Sequence, residues 1–173
     1  MSDAPSALGF AVMTVSDTRD AATDRTGPWL REQIAASGHH VVDHAIIADD
    51  IDAIRTRCRA WIADSRIHTI ITTGGTGLTG RDVTPEALRP LFDKEIDGFS
   101  AVFHMISFRS VGVSTLQSRA LAGIAGGTYL FAIPGSLGAC KDAWNGVLRD
   151  EFDPDHRPCN LVEILPRLTE GDA

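Results

Sequence analysis

The stretch TTGGTGLTGRDVTPE, residues 72–86, concentrates the chemistry this sequence offers: four glycines fall within the seven residues 74–80, and an arginine and an aspartate follow at once. Glycines without a Cβ let backbone N–H groups converge on an anion, so such a loop can hold phosphate without any net positive charge. Asp82 stands two residues beyond Gly80. A carboxylate beside a phosphate calls for a divalent cation between them, and Mg²⁺ is commonly held by one or two carboxylates plus substrate phosphates. Asp49, at the end of an apolar run, could supply a second carboxylate on the same rim, or could cap a helix alongside Asp50. This set suits a reaction that needs no protein nucleophile, such as phosphoryl or nucleotidyl transfer onto a substrate oxygen.

Other chemistries fit less well. Gly75-Thr-Gly77-Leu-Thr-Gly80 spells the dinucleotide fingerprint G-x-G-x-x-G, but that motif should follow the first strand and run straight into a helix. Here it follows the third predicted strand, and Arg81-Asp82-Val83 delay the helix until Pro85. A nicotinamide-linked oxidoreductase is therefore the weaker reading, and a tight turn with positive φ angles is the purely structural one. No Gly-Lys-Ser/Thr closes a Walker A loop, and no G-x-S-x-G elbow marks a hydrolase. The six histidines are scattered. His39 and His40 should point to opposite faces of a strand start, with His104 on the polar side of a helix, all structural or solvated.

The elements that must position these residues alternate along the chain. Residues 10–16, FAVMTVS, read as a buried strand. A helix follows from Pro28 to Ser37, with Trp29, Leu30 and Ile34 on one side and Gly38 as its stop. VVDHAII gives a second strand ending at Ala48. The next helix is capped by Asp50 and carries Ile51, Ile54, Cys58, Trp61 and Ile62 at helical spacing. HTIITT is a third strand. Thr84-Pro85-Glu86 offers an N-cap, a Pro at the first position and an early acid, and Pro90 must end or kink that helix. Phe99, Val102, Phe103 and Ile106 mark another helix, and Ser114 to Gly123 is expected to form one capped by Ser114. TYLFAI gives a fourth strand running into Pro134-Gly135-Ser136. Leu137, Cys140, Trp144, Val147 and Leu148 define a long last helix, and the Pro-rich tail beyond Phe152 is expected to be irregular.

Apolar strands alternating with helices imply an α/β domain, a mainly parallel sheet covered by helices on both faces. Ligands in such sheets bind outside the C-terminal strand ends. Ser16-Asp17, Asp49-Asp50, the glycine loop and Pro134-Gly135-Ser136 all fall there. The expectation is one domain over 1–173, with its core in 8–152 and a tail over 153–173.

Composition narrows the partners. A formal net charge of −7 disfavours nucleic acid, which calls for a basic stripe. No apolar run approaches a membrane span. MSDAPSALG has neither the positive start nor the apolar core of a secretory signal and is expected to be a short frayed tail. Cys58, Cys140 and Cys159 show no metal spacing, and an odd count favours a reducing, cytoplasmic setting.

From about Leu8 to Pro166 the sequence resembles the MoaB/MogA-type proteins of molybdenum cofactor biosynthesis. Thr14-Val-Ser-Asp17, Thr72-Thr-Gly-Gly-Thr-Gly77, Arg81-Asp-Val-Thr-Pro-Glu86, Leu116-Gln-Ser-Arg119 and Pro134-Gly-Ser136 carry the resemblance. VVDHAII, PLFDKEIDGF and Arg157-Pro-Cys-Asn160 make it look closest to the B-type branch. The resemblance implies a three-layer α/β/α fold and trimers, or hexamers built from trimers. It implies binding of molybdopterin, joined in active members by Mg²⁺ and ATP to give adenylyl-molybdopterin, and possible contacts with other proteins of the same biosynthesis. By this analogy Gly74, Gly75, Thr76 and Gly77 hold phosphate, and Asp49 and Asp82 are the catalytic, metal-associated acids. Ser16, Ser118 and Pro134-Gly135-Ser136 line the pterin and phosphate pocket, with Arg81 or Arg119 neutralising charge. One position often acidic in the family is Ala101 here. A non-catalytic molybdopterin-binding or carrier protein is the alternative function.

Overall fold

The computed structural model describes residues 7–171; most of the MSDAPSALG tail, residues 1–6, and the last two residues lie outside that range. Alternate strand residues feed two separate cores, because successive side chains of a strand point to opposite faces. Phe10 and Val12 of β1 (Gly9–Val15), Ile71 of β3 (Thr69–Thr73), and Tyr129, Phe131 and Ile133 of β6 (Thr128–Ile133) enter one core. The residues between them, Ala11, Met13, Ile70, Leu130 and Ala132, enter the other. The first core is covered by α1 (Thr26–Ala36), α4 (Asp97–Val111) and α5 (Leu137–Ala143); the second by α2 (Ile51–Ile62) and α3 (Thr84–Leu88). Helices thus lie on both faces of the sheet. Burying each large apolar side chain, such as Trp144 or Phe103, stabilises the fold by about 1.5–3 kcal/mol.

The sheet runs β2-β1-β3-β6-β5-β4, where β2 is His40–Ile47, β4 is Lys94–Glu95 and β5 is Leu121–Ala125. The β2/β1, β1/β3 and β3/β6 pairs are parallel, while β5 pairs antiparallel with both β6 and β4. From β1 the chain crosses to β2 on one side, and β3 then adds on the other. This reversal opens a crevice at the C-terminal ends of β1 and β3.

Several expectations need correction. Ser114 to Gly123 is not a helix: Gly112, at φ 60°, ends α4, and a 3-10 turn spans Gly112–Gln117 before β5 begins at Leu121. The Arg119 N–H donates to Thr76 O at 2.8 Å, which pulls this segment out of helical geometry and into the sheet. TYLFAI is consequently the sixth strand, not the fourth. Thr84 does not cap α3 with its side chain; Val83 occupies the cap position, and the Thr84 hydroxyl donates to Gly74 O at 2.9 Å. Val102 lies outward on α4, 43% exposed. His104 is half-buried, its ring nitrogens 2.6 Å from Ser100 O and 3.1 Å from Ser118 O, so its role is structural.

The last helix continues from α5 through a π turn, Trp144–Leu148, into α6 (Arg149–Glu151). The tail is partly ordered as α7 (Leu161–Ile164), capped by Asn160, which accepts from Glu163 N at 2.9 Å. Val162 and Leu165 of the tail pack into the first core.

Candidate functional site

The crevice at the strand ends opens into a cleft of about 710 Å³. Ser16 follows β1, Asp49 follows β2, Gly74 to Gly77 follow β3, and Pro134, Gly135 and Ser136 follow β6; all of these line it. Asp82 and Ser118 line it as well. Arg81 and Arg119 do not, and their partners explain why. Arg81 donates from Nε and Nη2 to Asp17 Oδ2 at 2.9 and 2.6 Å. Arg119 donates to Gly77 O at 2.8 Å and to Asp82 O at 2.7 Å, and pairs with Glu86, bracing the loop from behind.

Local geometry shows why the loop starts with two glycines. Gly74 and Gly75 sit at φ 108° and 65°, a region closed to most L-residues. A Cβ on Gly74 would collide with Val15 O, and one on Gly75 with the Thr84 hydroxyl and, at 2.8 Å, with Asp49 Oδ1. Gly80 is different: its φ is not positive, and a Cβ there meets nothing within 4 Å. The fingerprint's last glycine therefore has no steric role, consistent with its being a chance match. The loop's carbonyls are the groups already bonded. Gly74 O accepts from Thr84 Oγ1, Gly75 O from Thr84 N, Thr76 O from Arg119 N and Gly77 O from Arg119 Nε. The N–H groups of Gly75 and Thr76, by contrast, have no acceptor among the described residues. What the loop leaves over is hydrogen-bond donors, as an anion requires.

The rim carries three carboxylates in unequal settings. Asp82 accepts from Thr79 Oγ1 and N at 2.6 and 2.9 Å, and these bonds hold its carboxyl below the ordinary range. Asp17 is held low by Arg81 and by the Asp49 N–H at 3.0 Å. On Asp49, burial, and then repulsion from Asp17 and Asp82, push the pKa up; the nearby Arg81 charge and the Asp17 backbone N–H act to lower it but are outweighed. Helix capping falls to Asp50 instead, which accepts from Ala53 N at 2.8 Å. Two cleft carboxylates that repel one another, one of them with its pKa raised by burial, are a donor set a hard cation would satisfy. Among the described residues no three His, Cys, Asp or Glu side chains cluster closely enough to hold a metal alone. A cation here would share its coordination with the ligand's own oxygens, the usual arrangement for Mg²⁺.

Sequence reading missed part of the lining. Thr76 and Ser107, 2% and 5% exposed, line the cleft with hydroxyls that have no hydrogen-bond partner among the described residues. Ser107 did leave a signal, since it continues the buried Phe99, Phe103 stripe of α4 at four-residue spacing. A serine on an apolar helix face needs a polar neighbour, and the cleft provides one. Arg19, from the polar loop after β1, also lines the cleft and left no periodic signal.

Comparison with known proteins places this geometry. A family profile described as a probable molybdopterin binding domain matches residues 11–154. Molybdenum cofactor biosynthesis protein B of Escherichia coli K12 is 49% identical over 158 residues, covering 91% of this chain and 93% of that protein. A crystal structure of a molybdenum cofactor biosynthesis protein B superposes with a TM-score of 0.86 at 36% identity, covering 95% of this chain and 99% of the other. The tungsten cofactor synthesizing protein of Pyrococcus furiosus superposes at 0.74 with 37% identity, covering 82% of this chain and 91% of that one.

Proposed function

This chain belongs to the molybdopterin-binding domain family of molybdenum cofactor biosynthesis, and from that premise we propose that it binds molybdopterin and adenylylates it with Mg-ATP. The observation that carries this reading is a single cleft that sets the Asp49 and Asp82 carboxylates beside a glycine loop whose Gly75 and Thr76 amides have no acceptor among the described residues. The chemistry needs two polyanions side by side. An oxygen of molybdopterin's terminal phosphate bonds to the α-phosphorus of ATP, the bond from that phosphorus to its bridging oxygen breaks, and pyrophosphate leaves. Mg²⁺, held by Asp49 and Asp82, would neutralise phosphate charge when bound. The protein's own work is positioning and donation. The loop amides hold phosphate oxygens, Arg119 fixes the loop and the Asp82 backbone, and the Thr76 and Ser107 hydroxyls bond the ligand.

The same reading includes assembly into trimers, or hexamers built from trimers. Met105, Phe108, Val113 and Leu116 are 63, 55, 80 and 77% exposed along α4 and the turn after it, an apolar surface that favours association. Trp61 and Trp144 belong to the two cores and contribute nothing to it. A cytoplasmic setting fits Cys58 and Cys140, buried thiols pushed up to about 12 and about 11 by burial. No helix among the described residues is long and apolar enough to cross a membrane.

The test is Mg²⁺-dependent AMP transfer to molybdopterin by Asp82→Ala. The variant should lose most of the transfer while retaining molybdopterin binding; undiminished turnover contradicts the assignment. Binding without transfer in the unmodified protein would favour the carrier alternative.

A further inference from the structure

Arg19 is a half-buried guanidinium with no carboxylate within ion-pair distance among the described residues. Many of the chain's other arginines, including Arg57, Arg66, Arg81, Arg89, Arg119, Arg149, Arg157 and Arg167, pair with acids. Arg19 thus faces the cleft without a counter-ion in a molecule of net charge −7, and burying a charge in that way is costly. The side chain is nonetheless fixed. Nη2 donates to Gly135 O at 2.8 Å and Nη1 to Thr26 Oγ1 at 3.2 Å. The nearest acid in this network, Asp24, is reached only through Thr26, whose hydroxyl donates to Asp24 Oδ1 at 3.2 Å. A guanidinium has more N–H donors than these two contacts use.

The hydroxyls beside Arg19 are also committed as acceptors. Ser16 Oγ accepts from Thr18 N and Arg19 N at 3.2 and 3.1 Å, and Ser136 Oγ from Ala139 N at 3.1 Å. With its lone pair engaged by a backbone amide, Ser136 retains an O–H to donate; Ser16 Oγ also lies 3.4 Å from Thr18 Oγ1, an exposed contact from which its O–H can turn to a ligand. This corner of the cleft therefore offers donors and a positive charge, while Asp49 and Asp82 occupy the other. The two corners adjoin, since a Cβ on Gly135 would lie 3.2 Å from the Gly74 Cα.

We infer that Arg19, with the Ser16 and Ser136 hydroxyls, forms a second phosphate subsite that binds a phosphoryl group without a metal. The inference deepens the adenylylation reading and rests on it in one respect, the need to seat two phosphorylated groups side by side. It divides the labour between the two corners. One group sits on the glycine loop and shares Mg²⁺ with the carboxylates; the other is neutralised by a planar guanidinium suited to paired phosphate oxygens. Arg19, together with Lys141 on α5, supplies the cleft-facing positive charge that Arg81 and Arg119, both committed elsewhere, do not.

The experiment is calorimetric titration of the full chain with inorganic pyrophosphate in EDTA, at two salt concentrations. The unmodified protein should bind. Arg19→Gln should weaken binding at least about ten-fold and flatten its salt dependence, and Arg19→Lys should fall between, because it keeps the charge and loses the fork. Arg59→Gln, an equal charge change on the exposed face of α2, should stay within about two-fold. Thermal melts establish that each variant is folded, and Arg19→Lys decides the matter if Arg19→Gln is not. No metal-free binding by the unmodified protein, or equal losses in the Arg19→Gln and Arg59→Gln variants, would overturn the inference. Arg19-dependent binding in a protein that fails to transfer AMP would leave the subsite standing and remove only the adenylylation.

Discussion

At the residue scale the glycine loop separates positions that need glycine from one that does not. Gly75 combines φ 65° with a Cβ position already occupied by the Thr84 hydroxyl. Gly75→Ala should cost about 1–3 kcal/mol in stability and weaken phosphate binding, because the loop must shift to relieve the clash. Gly80→Ala, with open space and no positive φ, should be nearly neutral. Denaturant midpoints of the two variants measure the difference, and equal losses would contradict this account of the loop. The loop, Asp49 and Asp82 were legible in sequence because glycine and carboxylate chemistry is local. The partners of Arg81 and Arg119 were not, since Asp17 lies 64 positions from Arg81 and Gly77 42 from Arg119. Only the fold decides which arginine keeps its charge for a ligand.

At the element scale, the buried His39 and the half-buried His68 tie loops to the sheet. His39 Nδ1 accepts from Leu8 N at 3.2 Å while Nε2 bonds Phe152 O at 3.0 Å, and His68 Nδ1 accepts from Gly9 N at 2.8 Å. Burial holds both pKa values below the ordinary histidine value. The unfolded chain therefore binds protons more readily than the folded one. Their stabilisation is complete above about pH 6.5 and is lost as pH falls below that value through the lower folded pKa values. Urea midpoints should drop between about pH 7.5 and pH 5, and His39→Gln should reduce the drop; a flat profile would contradict the assignment. Strand and helix periodicity showed most elements, but β5 was hidden. Leu121-Ala-Gly-Ile-Ala125 lacks the β-branched density of the other strands, and its alanines favour a helix in isolation. Pairing with β6 and the Arg119 tether override that preference. The π turn at Trp144–Leu148 left no mark on the apolar spacing at all.

At the scale of the molecule, the cleft and the apolar surface share one element. Helix α4 and the turn after it present Ser107, Ser110, Ser114 and Thr115 to the cleft, and Met105, Phe108, Val113 and Leu116 to the outside. Introducing glutamate at Met105 and Phe108 together should lower the mass seen by light scattering from a trimer-based assembly towards the monomer, since two buried charges would oppose the contact. A monomer mass for the unmodified chain would contradict the assembly.

On the proposed function, one cleft brings two phosphorylated molecules together and joins them. Mass analysis after incubating the unmodified chain and the Asp82→Ala variant with molybdopterin, ATP and Mg²⁺ tests this joining step. The unmodified chain should yield adenylyl-molybdopterin and released pyrophosphate, and the variant little of either. Molybdopterin recovered unchanged from both, bound but never adenylylated, would contradict that function.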